Sequence, residues 1–163
     1  MAGGGEGSID AYRVNVLFGL DDLCKKYVTK DACVLELGTN AGVSTSLFAY
    51  YANKVVGVDM LLNPTMSGVV DCFDNITFIN KTFKDFLAVN TEHYDVIYID
   101  GCHEYENVIV DIHDFYPLVK SGGCLAGHDF NNNTPGVEQA VREVFSNEEI
   151  EVFSDSSWLI RKP

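Results

Sequence analysis

Val34-Leu-Glu-Leu-Gly38-Thr-Asn-Ala-Gly42, followed by the helix-like stretch from Val43 to Ala52, decides the fold. A short apolar strand runs into a turn bearing two glycines four residues apart, and a helix leaves that turn. The same strand–helix alternation recurs. Lys54-Val-Val-Gly-Val58, Ile76-Thr-Phe-Ile79, Tyr94-Asp-Val-Ile-Tyr-Ile99 and Cys124-Leu-Ala-Gly127 read as four further strands. Helices are expected from Phe83 to Val89 and from Tyr105 to Val119, the second at the 3.6-residue period and stopped by Lys120-Ser-Gly-Gly123. Another starts at Thr134-Pro135, an N-cap followed by Pro at the first helical position, and runs through Phe145. Met60 to Val70, with Pro64 and Gly68, reads as loop or a short helical turn. Upstream, Ile9, Tyr12, Val16, Leu20, Leu23 and Tyr27 mark one helix face behind a flexible tail over residues 1–8. Five alternations imply an α/β fold, a mostly parallel sheet with helices on both faces. Two last strands, Glu149 to Phe153 and Ser157 to Arg161, are joined by three residues only. Such a connection makes a hairpin and turns the last strand antiparallel.

The chain has 163 residues and a formal net charge of −13. That length suits one domain, expected over residues 9–163. The shortage of Lys and Arg argues against a nucleic-acid partner and against an acidic membrane surface. A small neutral or cationic partner is favoured instead. No apolar run reaches the length of a membrane span, and the start lacks the basic flank and apolar stretch of a signal peptide. The five cysteines are an odd number without a C-x-x-C pair, which points to reduced thiols and a cytoplasmic location.

In open α/β sheets ligands bind beyond the carboxyl ends of the strands. A diphosphate binder wants G-x-G-x-x-G in the first turn, but Asn40 stands at the second glycine. Glu36 would repel phosphate there and would suit an amino group. Asp59, ending the second strand, can accept both hydroxyls of a ribose. Together they point to a nucleoside without phosphates. The fourth and fifth strands end in Asp100-Gly-Cys-His103 and Gly127-His128-Asp129. Neighbouring parallel strands lie about 4.8 Å apart, so both ends can face one ligand. Asp100, His128 and Asp129 are candidate ligands of a divalent metal, Mg²⁺ for the carboxylates, with imidazole shifting the preference toward Mn²⁺ or Fe²⁺. An unperturbed imidazole titrates near neutral pH, which makes His103 the candidate general base, with Asp100 beside it. Plainer roles stand beside these: Asp100 as a helix cap or cofactor-orienting group, His128 as a hydrogen-bonded loop histidine. His93 and His113 read as surface residues, and Trp158 as core.

The combination Glu36-x-Gly38-x-x-x-Gly42, Asp59, the Asp100 strand end and the terminal hairpin resembles the class I S-adenosylmethionine-dependent methyltransferases, over about Ile9 to Lys162. The resemblance implies a Rossmann-like, doubly wound seven-stranded sheet in the order 3-2-1-4-5-7-6. It implies that Glu36 holds the methionine amino group, directly or through water, and that Ser44 meets the carboxylate. Gly38, Thr39, Asn40 and Gly42 would let the backbone approach the cofactor, and Asp59 would take the ribose. Met60, Lys81, Thr82 and Phe83 would line the adenine, Lys81 reading equally as a solvated charge. Asp100 and Gly101 would complete the contacts. The stretch Tyr94 to Tyr105, with Gly122-Gly123 and His128-Asp129, is most similar to the small-molecule branch. That branch includes the group called methyltransferase domain 24 and the metal-dependent catechol-type and macrolide-sugar O-methyltransferases. There the position of Asp100 binds metal, that of His103 is the base, and those of His128 and Asp129 complete the metal site. His128 departs from the Asp or Glu usual at its position. The implied activity is O-methylation of a small molecule from S-adenosylmethionine, assisted by Mg²⁺ or Mn²⁺. Two rivals stay open: a non-catalytic cofactor-binding domain acting through a partner protein, and a nicotinamide-dependent oxidoreductase, against which Asn40 counts. The core consumes nearly the whole chain, so acceptor selectivity falls to short loops or to a second subunit of a homo-oligomer.

Overall fold

The computed structural model describes residues 18–163. The expected tail over 1–8 and the helix positions Ile9, Tyr12 and Val16 lie outside them. The described chain opens in a helix, α1 (residues 18–27). Seven strands follow among the described residues: β1 (Cys33–Leu37), β2 (Lys54–Asp59), β3 (Ile76–Asn80), β4 (Tyr94–Ile99), β5 (Val119–Gly127), β6 (Glu151–Val152) and β7 (Trp158–Arg161). They form one sheet in the order β3-β2-β1-β4-β5-β7-β6, as expected. The first five run parallel, and β7 is antiparallel to both β5 and β6. Between them lie α2 (Val43–Tyr51), α3 (Pro64–Cys72), α4 (Phe83–Leu87), α5 (Tyr105–Phe115) and α6 (Pro135–Val144).

Alternation along the strands feeds two apolar cores, one on each face. From β1 and β4, Val34, Val96 and Tyr98 join Leu23, Phe48 and Met66 under α1, α2 and α3. Leu35, Leu37, Ile97 and Ile99 join Phe86, Ile112, Phe115 and Val141 under α4, α5 and α6. Burial on both faces explains why these strands are continuous apolar runs.

Three local expectations need correction. The stretch read as loop or a short turn, Met60 to Val70, instead enters a nine-residue helix, α3, at Pro64 that continues to Cys72. The Thr65 N–H donates to the Asn63 side chain at 3.0 Å, Pro64 occupies the first turn, and Met66 is fully buried. Gly68 faces open space, so it does not interrupt the helix packing. At α6, Pro135 does start the helix, but the Thr134 hydroxyl makes no cap and donates to the Asp129 carbonyl at 2.6 Å. Finally, α5 ends at Phe115 and a 3₁₀ turn, Tyr116–Leu118, leads into β5, which starts at Val119. Residues 120–123 therefore belong to the strand. Its pairing with β4 shifts register between Tyr94 and Val96. Gly123 permits that passage, since a Cβ there would lie 2.5 Å from the Asp95 carbonyl oxygen.

Candidate active site

The turn after β1 is built by two close approaches. Gly38 has φ 91°, and a Cβ on it would lie 2.2 Å from the Asp100 carbonyl oxygen at the end of β4. Gly42 has φ 80° and faces the Met66 sulfur, 2.6 Å from where a Cβ would stand. Asn40 also adopts a left-handed conformation, φ 43°, which Asn tolerates better than most residues.

Asp59 anchors this turn. Its Oδ2 accepts the N–H groups of Thr39 at 3.1 Å and Asn40 at 2.9 Å, and its Oδ1 accepts that of Leu61 at 2.8 Å. The carboxylate is thus fixed between the ends of β1 and β2. Glu36 lies beneath, fully buried, with the hydroxyls of Ser44 and Thr45 donating to its two oxygens. Burial pushes its pKa up to about 8 against the pull of those hydroxyls. It is therefore mostly protonated at neutral pH.

A cavity of about 680 Å³ opens across these strand ends, within the usual range for small-molecule and cofactor sites. From the first turn Gly38, Thr39, Asn40 and Ser44 reach its wall, and from the end of β2 so do Asp59 and Met60. Thr82, Phe83, Asp100 and Gly101 line it, together with His103 and His128. Glu36, Gly42 and Lys81 are not on that wall, and Lys81 is exposed. The Thr39 hydroxyl is buried without a hydrogen-bond partner among the described residues, an atom suited to a polar ligand in the cavity.

Sequence reasoning missed Asn107 and Asp111 on α5, Tyr98, Leu20 and Asp155, all of which line the cavity. The four-residue spacing of Asn107 and Asp111 was visible, but it reads equally as a solvated helix face. Asp155 gave no local signal. Its carboxylate accepts the N–H of Leu20 at 2.6 Å and of Ser157 at 2.9 Å, and the first of these is a tertiary contact.

At the ends of β4 and β5 the acidic and imidazole groups converge. His103 Nε2 lies 2.9 Å from Asp129 Oδ2 and 3.9 Å from Asp100 Oδ1. His128 Nδ1 lies 3.3 Å from Asp129 Oδ2 and 4.0 Å from Asp100 Oδ1. Hydrogen bonding and charge from Asp100, with the charge of Asp129, hold the His103 pKa above its usual value against partial burial. Burial works against a charged His128, yet the bond to Asp129 and the surrounding carboxylates push its pKa up to about 9. The bond from His128 holds Asp129 below the usual carboxylate range. Asp129 sits at φ 62°, a left-handed conformation that costs about 1–3 kcal/mol and recurs at functional sites. The converging trio is Asp100, His103 and Asp129, whose ligand atoms all lie within 4.8 Å of one another. His128, the expected third ligand, lies at comparable distances from the same two carboxylates. Two carboxylates and one imidazole form a donor set better matched to Mn²⁺ or Fe²⁺ than to Mg²⁺, which takes oxygen ligands.

Residues 35–130 match a family model described as a methyltransferase domain. No curated protein matches the chain significantly. Solved structures do. The Streptococcus mutans protein SMU.1697c, in complex with SAH, is similar at a TM-score of 0.71 and 13% identity, over 88% of this chain and 96% of that one. A TDP-rhamnose 3'-O-methyltransferase of calicheamicin biosynthesis matches at 0.71 and 16%, over 91% and 78%. An rRNA methylase from Streptococcus thermophilus matches at 0.66 and 15%, over 87% and 92%. At such identities the likeness is one of fold.

Proposed function

The chain belongs to the methyltransferase domain family and is an S-adenosylmethionine-dependent methyltransferase, and from there we propose that it methylates a small neutral or cationic molecule at oxygen. One observation carries the choice of acceptor. The cavity wall bears Asp59, Asp100, Asp111 and Asp155 with two histidines, and among the described residues no Lys or Arg. Nothing there neutralises a phosphate, and the net charge of −13 adds long-range repulsion. An RNA acceptor finds no support in these residues.

In this reading Gly38, Thr39 and Asn40 face the cofactor's amino-acid end and Asp59 its ribose, with Met60 against the base. Glu36 acts from below through Ser44. When bound, the cofactor supplies an electrophilic methyl group on a sulfonium. The protein's part is to place the acceptor in line and to take its proton. His103 does the second. Its Nε2 lies 2.9 Å from the Asp129 carboxylate, which leaves Nδ1 as the atom to accept the hydroxyl proton. Asp129 then stabilises the imidazolium that results. Asp100 and Asp129 would hold a divalent cation, which would lower the pKa of a bound hydroxyl, with His103 kept as the base. No helix among the described residues is long and apolar enough to cross a membrane. The five cysteines stand as unpaired thiols, which supports a cytoplasmic setting, with residues 9–163 acting as one domain.

The test is transfer from methyl-labelled S-adenosylmethionine to a panel of neutral hydroxylated compounds and amino alcohols, beside total RNA. Label is expected in an O-methylated small product. Label confined to RNA would overturn the acceptor class.

A further inference from the structure

Beyond Asp59 the cavity wall includes Phe83 at the start of α4, Gly101 after β4, and Asn107 and Asp111 on α5. Strand β3 lies next to β2, and α4 follows β3. A nucleoside whose ribose meets Asp59 therefore turns its base toward Phe83 and α5. The wall there is well fixed. The Phe83 ring meets Phe115 edge-on at 6.3 Å, and a Cβ on Gly101 would lie 2.8 Å from the Phe83 ring. Asn107 and Asp111 are one helical turn apart, so both present to the same side of α5.

Their polar groups are treated differently. The Asn107 amide donates to the Cys102 sulfur at 3.3 Å. The Asp111 carboxyl makes no hydrogen bond to any described residue, although it is only partly exposed. Burial, with the charge of Asp114 added, pushes its pKa up to about 7. The other withdrawn acids behave otherwise: Glu36 is met by two hydroxyls and Asp129 by two imidazoles. A half-buried carboxyl in the cavity wall with no partner among the described residues leaves its oxygens free to accept from a ligand. An N–H donor on the ligand is the group such oxygens would meet.

We propose that Asp111 reads the base of the cofactor, its carboxylate accepting a hydrogen bond from the exocyclic amine of adenine. A base with a carbonyl oxygen in that position places acceptor against acceptor and is rejected. The assignment rests on the cofactor reading above and adds to it a residue that selects the base. The polarity of the contact, rather than ring shape, then sets the selection.

Binding of S-adenosylhomocysteine and of its deaminated analogue, S-inosylhomocysteine, tests this by calorimetric titration of the full chain at pH 8.5. There the carboxylate form dominates. The wild-type chain is expected to prefer the amine by about ten- to a hundredfold, the range of a hydrogen bond to a charged group. In Asp111→Asn, whose amide both donates and accepts, the preference should fall to within about threefold. Glu106→Gln on the outer side of α5 should keep the wild-type ratio. Each ratio is taken within one protein, so a general loss of affinity in a variant does not imitate the effect. No preference in the wild type, or the same preference in Asp111→Asn, overturns the assignment alone. Binding of neither nucleoside by the folded wild type overturns the cofactor reading and this assignment together.

Discussion

Glu36→Gln isolates the buried acid at the bottom of the site. In the folded chain its pKa is raised from 4.5 to about 8 by burial. The folded state therefore holds this proton more tightly than the unfolded chain between those two pH values. The sign follows: its contribution to stability is full below about pH 4.5 and is lost as pH rises toward about 8. One proton corresponds to about 1.4 kcal/mol per pH unit, so the whole window has a ceiling of about 5 kcal/mol. Gln has the same shape and stays neutral throughout. Its amide oxygen can accept from one of Ser44 and Thr45 while its nitrogen donates to the other, since both hydroxyls rotate. Urea denaturation of both proteins, without cofactor, at half-unit steps from pH 5 to 9 measures the difference. Glu36→Gln should gain on the wild type steadily with pH, by about 2 kcal/mol or more in total. The histidines and other acids titrate alike in the two proteins and cancel. Parallel stability curves would refute the buried, protonated Glu36.

Gly38→Ala should destabilise the fold by about 1–3 kcal/mol in the same denaturation assay, because a Cβ meets the Asp100 carbonyl at 2.2 Å on a left-handed backbone. His103→Asn should lower kcat by about 10²- to 10⁴-fold while S-adenosylhomocysteine affinity stays within about threefold, since the residue handles the acceptor's proton. Asp129→Asn should weaken Mn²⁺ binding at least tenfold, read by electron paramagnetic resonance, and leave cofactor affinity unchanged.

Strand identities and order were legible because both sheet faces are covered, and apolar runs bounded by glycine-bearing turns admit few other readings. Tyr94 to Ile99 came out with its observed limits. The first turn was legible for the same reason, as Gly38 and Gly42 answer local steric demands. Elements fixed by side-chain capping or register were harder. The Asn63 cap that starts α3 was masked by the Pro64 and Gly68 around it. The early start of β5 depends on a bulged register against β4. At the site, residues within strand-end motifs were found, whereas those brought in by packing were not. Asp155 and Leu20 lie 135 positions apart and meet through one hydrogen bond. How near each imidazole comes to the two carboxylates is set by packing of the strand-end loops, and spacing along the chain does not encode those distances.

In the proposed function, the cavity across β1, β2 and β4 is a nucleoside-cofactor site with Asp59 at the ribose. Calorimetric titration of the wild type and of Asp59→Ala with S-adenosylhomocysteine tests it most directly. The wild type should bind one equivalent, and Asp59→Ala at least tenfold more weakly, having lost the ribose acceptor and the anchor of Thr39, Asn40 and Leu61. A folded wild type that takes up no ligand, or an Asp59→Ala variant that binds as tightly, would contradict it.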